Sequence, residues 1–212
     1  MSTLTVSPHP TEELSIPTGH EWPRQNNWPP PGQWTYEDYR RLPDDGWRYE
    51  VIAGELYMSP APEPIHQEYG FEIAVAFRNF GKKHDAGKVY TAPIDVILPG
   101  FASPVQPDVL FIAKNRLHIV KKGRIEGAPD IIVEILSPGN WIIDRREKFD
   151  IYAKAGVREY WIVNPMVRTV ELFVLREGRY ELIGKYAVGE TVRSEALPGF
   201  EVKVEDVCPA QN

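Results

Sequence analysis

Apolar residues along the chain fall into one long stretch with helical spacing and several short runs bounded by Gly and Pro. From Ile65 to about His84, Tyr69, Ile73, Ala76, Phe77 and Phe80 recur at helical spacing and Gly87 lies just beyond, which predicts a long helix. WRYEVIAGELYMSP holds two β-like runs around Ala53-Gly54 and predicts a hairpin. KVYTAPIDVILPG and SPVQPDVLFIAK read as two strands joined by a Gly/Pro turn, and APDIIVEILSP as the third. This third run is apolar on both faces, so it belongs in the middle of a covered sheet. Asn140 then opens a second helix that runs through Asp144, Lys148, Ile151 and Tyr152 to Gly156. VREYWIVNP is a fourth strand, and RTVELFVLREGRYELIGKYAVGETV adds a meander with turns at Glu177-Gly178 and Val188-Gly189. Upstream, Thr35 is placed to cap a short helix at Tyr36-Glu37-Asp38-Tyr39, ended by Leu42-Pro43. The order predicts an α/β fold, a sheet lying between helices with β additions at the end.

Residues 1 to about 34 lack any sustained period and are rich in Pro, Ser, Thr and Asn. WPRQNNWPPPGQW can hold a polyproline II stretch but not a helix, so this arm is expected to be disordered or draped over the body, with Trp22, Trp28 and Trp34 favouring docking. Residues 35–212 are expected to form one domain. A chain of 212 residues with 42% hydrophobic content can bury a core without staples. The single cysteine, Cys208, excludes an intramolecular disulfide or a cysteine-rich zinc site. No run approaches the roughly 20 apolar residues that span a bilayer, and no signal core opens the chain, so a soluble cytoplasmic protein is expected. The net charge of −6 argues against nonspecific coating of nucleic acid. A local basic stretch exists nonetheless, with Lys114, Arg116, Lys121, Lys122 and Arg124 uninterrupted by acid. It reads as a solvated loop or as a steering surface for a polyanion.

Glu134 changes the picture. It stands in the middle of APDIIVEILSP, where a carboxylate is costly unless paired, protonated or bound to a cation. Asp108, after Pro107, begins the preceding apolar strand, and two buried carboxylates raise one pKa or demand a cation. Hard divalent cations take such oxygen ligands, and the backbone carbonyl of Ile135 could add another. Asp144, Lys148 and Tyr152 are four apart on one helix face, so Lys148 could reach back to this end of the sheet. Glu50 in RYEVI and His66 before the long helix are outer candidates; a solvated strand position and a cap or surface role are their plainer readings. The sequence carries no HxxxH zinc spacing, no GxxxxGK[ST] loop and no GxSxG elbow.

PD…ExL followed by a helix with a lysine resembles the PD-(D/E)XK nuclease superfamily, in a variant whose lysine has moved from the strand to the next helix. The closer resemblance is to the Uma-two family, described as restriction endonucleases. WRYEVIAGELYMSPAP, HQEYGFEIA, VQPDVLFI, GAPDIIVEILSP, DRREKFDIYAKAGVREYWIVNP and TVELF follow its motifs in order, from about Tyr36 to Phe200. The resemblance implies a restriction-endonuclease-like core, a mixed sheet with helices on either face, phosphodiester hydrolysis dependent on Mg²⁺ (or Mn²⁺), and a homodimer. It maps the metal carboxylates onto Asp108 and Glu134 and the relocated lysine onto Lys148. The superfamily's basic position two residues after Glu134 is Leu136, so catalysis is left to Lys148.

Two functions follow as expectations. One is a metal-dependent endonuclease acting on DNA, with RNA served by the same chemistry. The other is a noncatalytic nucleic-acid-binding or assembly protein on a nuclease scaffold, since fold does not establish function.

Overall fold

The computed structural model describes residues 28–137 and 144–210. Most of the N-terminal arm, including Trp22, and the predicted helix start at Asn140 lie outside the described residues. Thr35 caps α1 (Tyr36–Tyr39) through a reciprocal box with Asp38. The hairpin is β1 (Arg48–Ile52) with β2 (Glu55–Ser59), closed by Ala53-Gly54, both at positive φ as a type I′ turn requires. Any side chain at Gly54 would also strike the Gly32 carbonyl, 2.3 Å from an added Cβ. Trp34 donates its N–H to the Gly54 carbonyl and stacks on Trp28, so residues 28–34 lie against this hairpin.

The long helix, α2 (Pro64–Lys83), buries Tyr69, Ile73, Phe77 and Gly81 along one stripe. Beyond it the two runs expected as single strands each divide. KVYTAPIDVILPG becomes β3 (Gly87–Thr91) and β4 (Asp95–Leu98), and SPVQPDVLFIAK becomes β5 (Ala102–Val105) and β6 (Val109–Ala113). Pro93 and Pro107 stand in the two gaps, where a residue without an N–H interrupts the ladder. A 3₁₀ turn (Lys114–Ile119), the short strands β7 (Val120–Lys121) and β8 (Arg124–Glu126), and then β9 (Ile131–Ile135) follow. The second helix opens, within the described residues, as a π-helical turn (Asp144–Lys148) and continues as α3 (Phe149–Ala155), stopped by Gly156 at φ +87. β10 (Glu159–Asn164), β11 (Thr169–Arg176) and β12 (Arg179–Ala187) complete the main strands. β13 (Thr191–Arg193) leaves the expected meander to pair with β14 (Glu201–Lys203), before the short α4 (Val204–Val207).

The expected single sheet is thus two. One has the order β2-β1-β5-β4-β8-β7 and the other β12-β11-β10-β9-β6-β3. β9 sits inside the second sheet, parallel to β10 and antiparallel to β6, and all five of its residues are buried. Alternation sorts its side chains. Ile131, Val133 and Ile135 join α2 in one core, with Val109 and Phe111 of β6. Ile132, with Leu110 and Ile112, faces the opposite way, into a second core with Ile52, Val96 and Val105 of the other sheet and Ile151 and Tyr152 of α3. Glu134 and Asp108 share that second parity. They therefore point into the space between the sheets.

Candidate active site

The β6–β9 register pairs Val109 with Val133, so one residue further Asp108 falls opposite Glu134. Like charges in such cross-strand positions repel. The surroundings answer that repulsion. From β1, Arg48 and Glu50 project from alternate positions of the same face towards this pair. The Arg48 guanidinium donates from Nη1 to Asp108 Oδ1 at 3.0 Å. Glu50 Oε1 accepts the Gln106 backbone N–H at 2.7 Å, and its Oε2 lies 3.0 Å from Lys148 Nζ. The same ammonium lies 3.1 Å from Glu134 Oε1, which also accepts the Tyr152 hydroxyl at 2.7 Å. Asp108 Oδ2 accepts the Ile135 N–H at 2.8 Å and is 3.1 Å from His66 Nε2.

Each predicted residue can now be placed. Asp108, Glu134, Lys148, Glu50 and His66 meet in one cluster. Glu50 is 6% exposed, which overturns the solvated-strand alternative. His66 lies within the first turn of α2 rather than before it. Gly70, one turn on, faces Ile135 of β9, where an added Cβ would sit 3.4 Å from its Cδ1, an ordinary packing distance. The Ile135 amide points to Asp108, and strand geometry sends the carbonyl of the same residue to the same edge. Lys148 and Tyr152 both reach Glu134. The basic stretch behaves differently. Lys114 pairs with Asp85, Arg116 with Asp130 and Arg124 with Glu126, while Lys121 and Lys122 are exposed. Arg116 and Asp130 mark the other end of β9, four residues or about 13 Å from Glu134. The steering surface is thus largely spent on local ion pairs.

Sequence reasoning missed Arg48 and Gln106. An arginine and a glutamate at i and i+2 in RYEVI are a face-sharing pair on any strand, and that signal was available. Gln106 carried none. Its side-chain amide donates to Asp95 at 2.9 Å and to the Tyr39 hydroxyl at 3.1 Å, tying α1 and β4 to the N–H that holds Glu50.

The electrostatics follow from these contacts. Burial alone would raise the Asp108 carboxyl, but the His66 and Arg48 contacts and the Ile135 N–H outweigh it and hold it well below the usual carboxylate range. Burial by itself would lower the Arg48 guanidinium; Asp108, Glu50 and Glu134 together keep it raised. Burial, reinforced by the Glu134 charge, drives the Tyr152 phenol well above its ordinary value, so it serves as a donor. A cleft of about 730 Å³ opens onto Arg48, His66, Gln106 and Asp108.

The donor set is one of hard carboxylate oxygens, the kind Mg²⁺ takes one or two of while keeping waters. Among the described residues no group of three or more His, Cys, Asp or Glu side chains is arranged to hold a metal ion; in the cluster the carboxylates face Arg48, His66 and Lys148 instead. A divalent ion fits here by donor chemistry, in competition with Arg48 for Asp108.

Three comparisons bear on this arrangement. The model of the family Uma2, described as "Putative restriction endonuclease", matches residues 36–205. A crystal structure from Anabaena variabilis, described as a putative nuclease belonging to DUF820, superposes with a TM-score of 0.67 at 18% identity, covering 82% of this chain and 97% of that one. At that identity the likeness speaks for the fold, a mixed α/β architecture of restriction-endonuclease type. No curated protein matches the sequence.

Proposed function

Since this chain belongs to the Uma2 family of restriction-endonuclease-like nucleases, we propose that it is a metal-dependent endonuclease that hydrolyses phosphodiester bonds of DNA. The observation that carries this reading is the convergence of Glu134 and Glu50 on Lys148, with Asp108 cross-strand from Glu134 and lining an open cleft. Asp108 and Glu134 would hold Mg²⁺ or Mn²⁺, with the Ile135 carbonyl as a further oxygen. The ion, when bound, supplies Lewis-acid polarisation of the phosphoryl oxygen and a water acidic enough to attack. The chain's own residues do the rest. Lys148, held between Glu50 and Glu134, orients the attacking water and offsets charge growing on the phosphoryl group. Tyr152 fixes the Glu134 carboxylate by donating to one oxygen. Glu50 keeps the ammonium on the strand side of the site, and the Gln106 N–H keeps Glu50 there. Arg48, which lines the cleft and uses Nη1 on Asp108, would offer its remaining N–H donors to the substrate phosphate. Homodimer formation belongs to the same reading.

The test is cleavage of labelled DNA and RNA by the purified chain in Mg²⁺ or Mn²⁺. Glu134→Gln, which keeps the shape of the side chain, is expected to lower the rate by at least about a hundredfold while the thermal unfolding transition remains cooperative. Wild-type rates in the folded variant would remove the assignment. One observation favours the noncatalytic scaffold instead: Arg48 and Lys148 already pair with the three carboxylates, and His66 Nε2 lies 3.1 Å from Asp108. Mn²⁺ titration separates the two, because a scaffold of that kind shows no saturable binding that depends on Asp108.

A further inference from the structure

The cleft beside Asp108 has a shape and lining that select among nucleic acids. Its volume of about 730 Å³ falls in the range of sites that enclose one small molecule, about 300–1,000 Å³. That space is large enough for one nucleotide. Three groups of the cluster lie deep in it, the side chains of Asp108, His66 and Arg48 being 5%, 13% and 17% exposed, while Arg40 and Asp44 line it as exposed residues. Phe71, by contrast, is 66% exposed at the rim. It stands one residue after Gly70 on the stretch of α2 that also supplies His66 and Gln67 to the cleft, and Trp47 and Pro93 line it from other elements.

An exposed phenylalanine on a helix gains nothing from folding, since its ring is left in water. It does offer a face on which a base can stack, the device by which single strands are held without reading sequence. Arg48 supplies the complementary contact. Its bond to Asp108 uses Nη1, and a guanidinium carries five N–H donors in a fork suited to phosphate oxygens. Glu134, Glu50 and Lys148 do not line the cleft, so among the described residues Asp108 is the acid through which a substrate in the cleft meets the cluster.

Taking the nuclease reading as its premise, we infer that this cleft seats one unpaired nucleotide, with its base on Phe71 and its phosphate at Arg48, so that the substrate is a single-stranded or flapped nucleic acid. A continuous duplex keeps its bases stacked on one another and its backbone on a wide cylinder. It cannot lower a phosphate past the Phe71 rim to a side chain that is 5% exposed without first unpairing.

The experiment is fluorescence anisotropy with the full chain and labelled oligonucleotides of about 20 nucleotides, long enough to exceed the site of one binding fold. Single-stranded DNA, single-stranded RNA, a flapped duplex and a blunt duplex are compared in EDTA and in Ca²⁺. Single strands and the flap are expected to bind at least tenfold more tightly than the blunt duplex, on the order of one stacked base. Phe71→Ala should remove about that factor and Phe71→Trp should restore it, with no change in the unfolding transition of either variant. Equal affinity for blunt duplex and single strand, or indifference to Phe71→Ala, overturns the inference. Cleavage in Mg²⁺ is scored separately. Phe71-dependent strand binding without cleavage would sink the nuclease reading and leave this one standing, whereas cleavage of blunt duplex without single-strand preference does the reverse.

Discussion

At the scale of single residues, the site is a problem in placing charge. Three carboxylates and an ammonium are buried together, with a guanidinium 17% exposed beside them, linked by contacts of 3.0–3.1 Å. Such a group is tolerable when each charge has a partner and its remaining lone pairs are filled, and strongly destabilising when one partner is removed. Asp108 illustrates the sign. Its folded-state pKa is depressed, so its charge contributes stability that is present above the unfolded carboxylate value of about 3.9 and is lost as pH falls below it. Asp108→Asn is therefore expected to be less stable at neutral pH and to lose less on acidification. Urea midpoints measured from pH 7 down to about 3 check this, the window in which the unfolded carboxyl takes up its proton. An acid limb as steep as that of the wild type would show that Asp108 is not the group responsible.

At the scale of elements, the site depends on how the helix carrying Lys148 is held. Its π-helical turn leaves the strand layer without the regular hydrogen bonds of an α-helix, a feature often met at functional sites. Arg145, in that turn, makes a two-pronged contact with Glu171 of β11 at 2.8 and 3.0 Å, and Lys185 of β12 reaches the same carboxylate at 3.1 Å. Burial would raise Glu171, but Arg145 and Lys185 prevail and lower it. The contact thus ties Lys148, three residues on, to the far strands of the sheet. Glu171→Gln is expected to speed backbone hydrogen exchange across residues 144–148 about fivefold, with little change in the β9 amides, because a two-pronged ion pair of this exposure is worth about 1 kcal/mol. Equal acceleration throughout the chain would mean global destabilisation rather than release of the turn. A second clamp works elsewhere. Buried Glu159 accepts the Trp161 indole N–H at 2.7 Å and the Glu195 and Ala196 backbone N–H groups at 2.9 and 2.8 Å, fastening the segment before β14 to β10.

At the scale of the whole molecule, two sheets share an apolar interlayer, and the site lies at one end of it, walled by α2 and α3. No helix among the described residues is long and apolar enough to cross a membrane. An ion that binds only the folded arrangement stabilises all of it by mass action. Mn²⁺ at a hundred times its Kd is expected to add about 2.7 kcal/mol, or about 5–11 °C in Tm for a chain of this size. Differential scanning fluorimetry with and without Mn²⁺ measures it. The rise should vanish in Asp108→Asn and in Glu134→Gln; a rise of the same size in both variants would place the ion elsewhere.

What the sequence by itself determined is what neighbouring residues decide among themselves. The spacing of Tyr69, Ile73 and Phe77 marks α2, Ala53-Gly54 and Glu177-Gly178 mark two-residue turns, and Gly156 ends α3, because period and backbone freedom are local properties. The anomaly of Glu134 was also legible, since a carboxylate among aliphatic neighbours is conspicuous wherever the strand ends up. The tertiary structure alone decided the rest. Pro93 and Pro107 hinted at broken strands, yet only the packing of two sheets sends β4 and β5 to one and β3 and β6 to the other. Arg48 and Asp108 are 60 positions apart, and Gln106 and Glu50 are 56 apart. No periodicity encodes such pairings. They arise when burying two apolar faces brings their few charged positions to the same edge, where each must find the other.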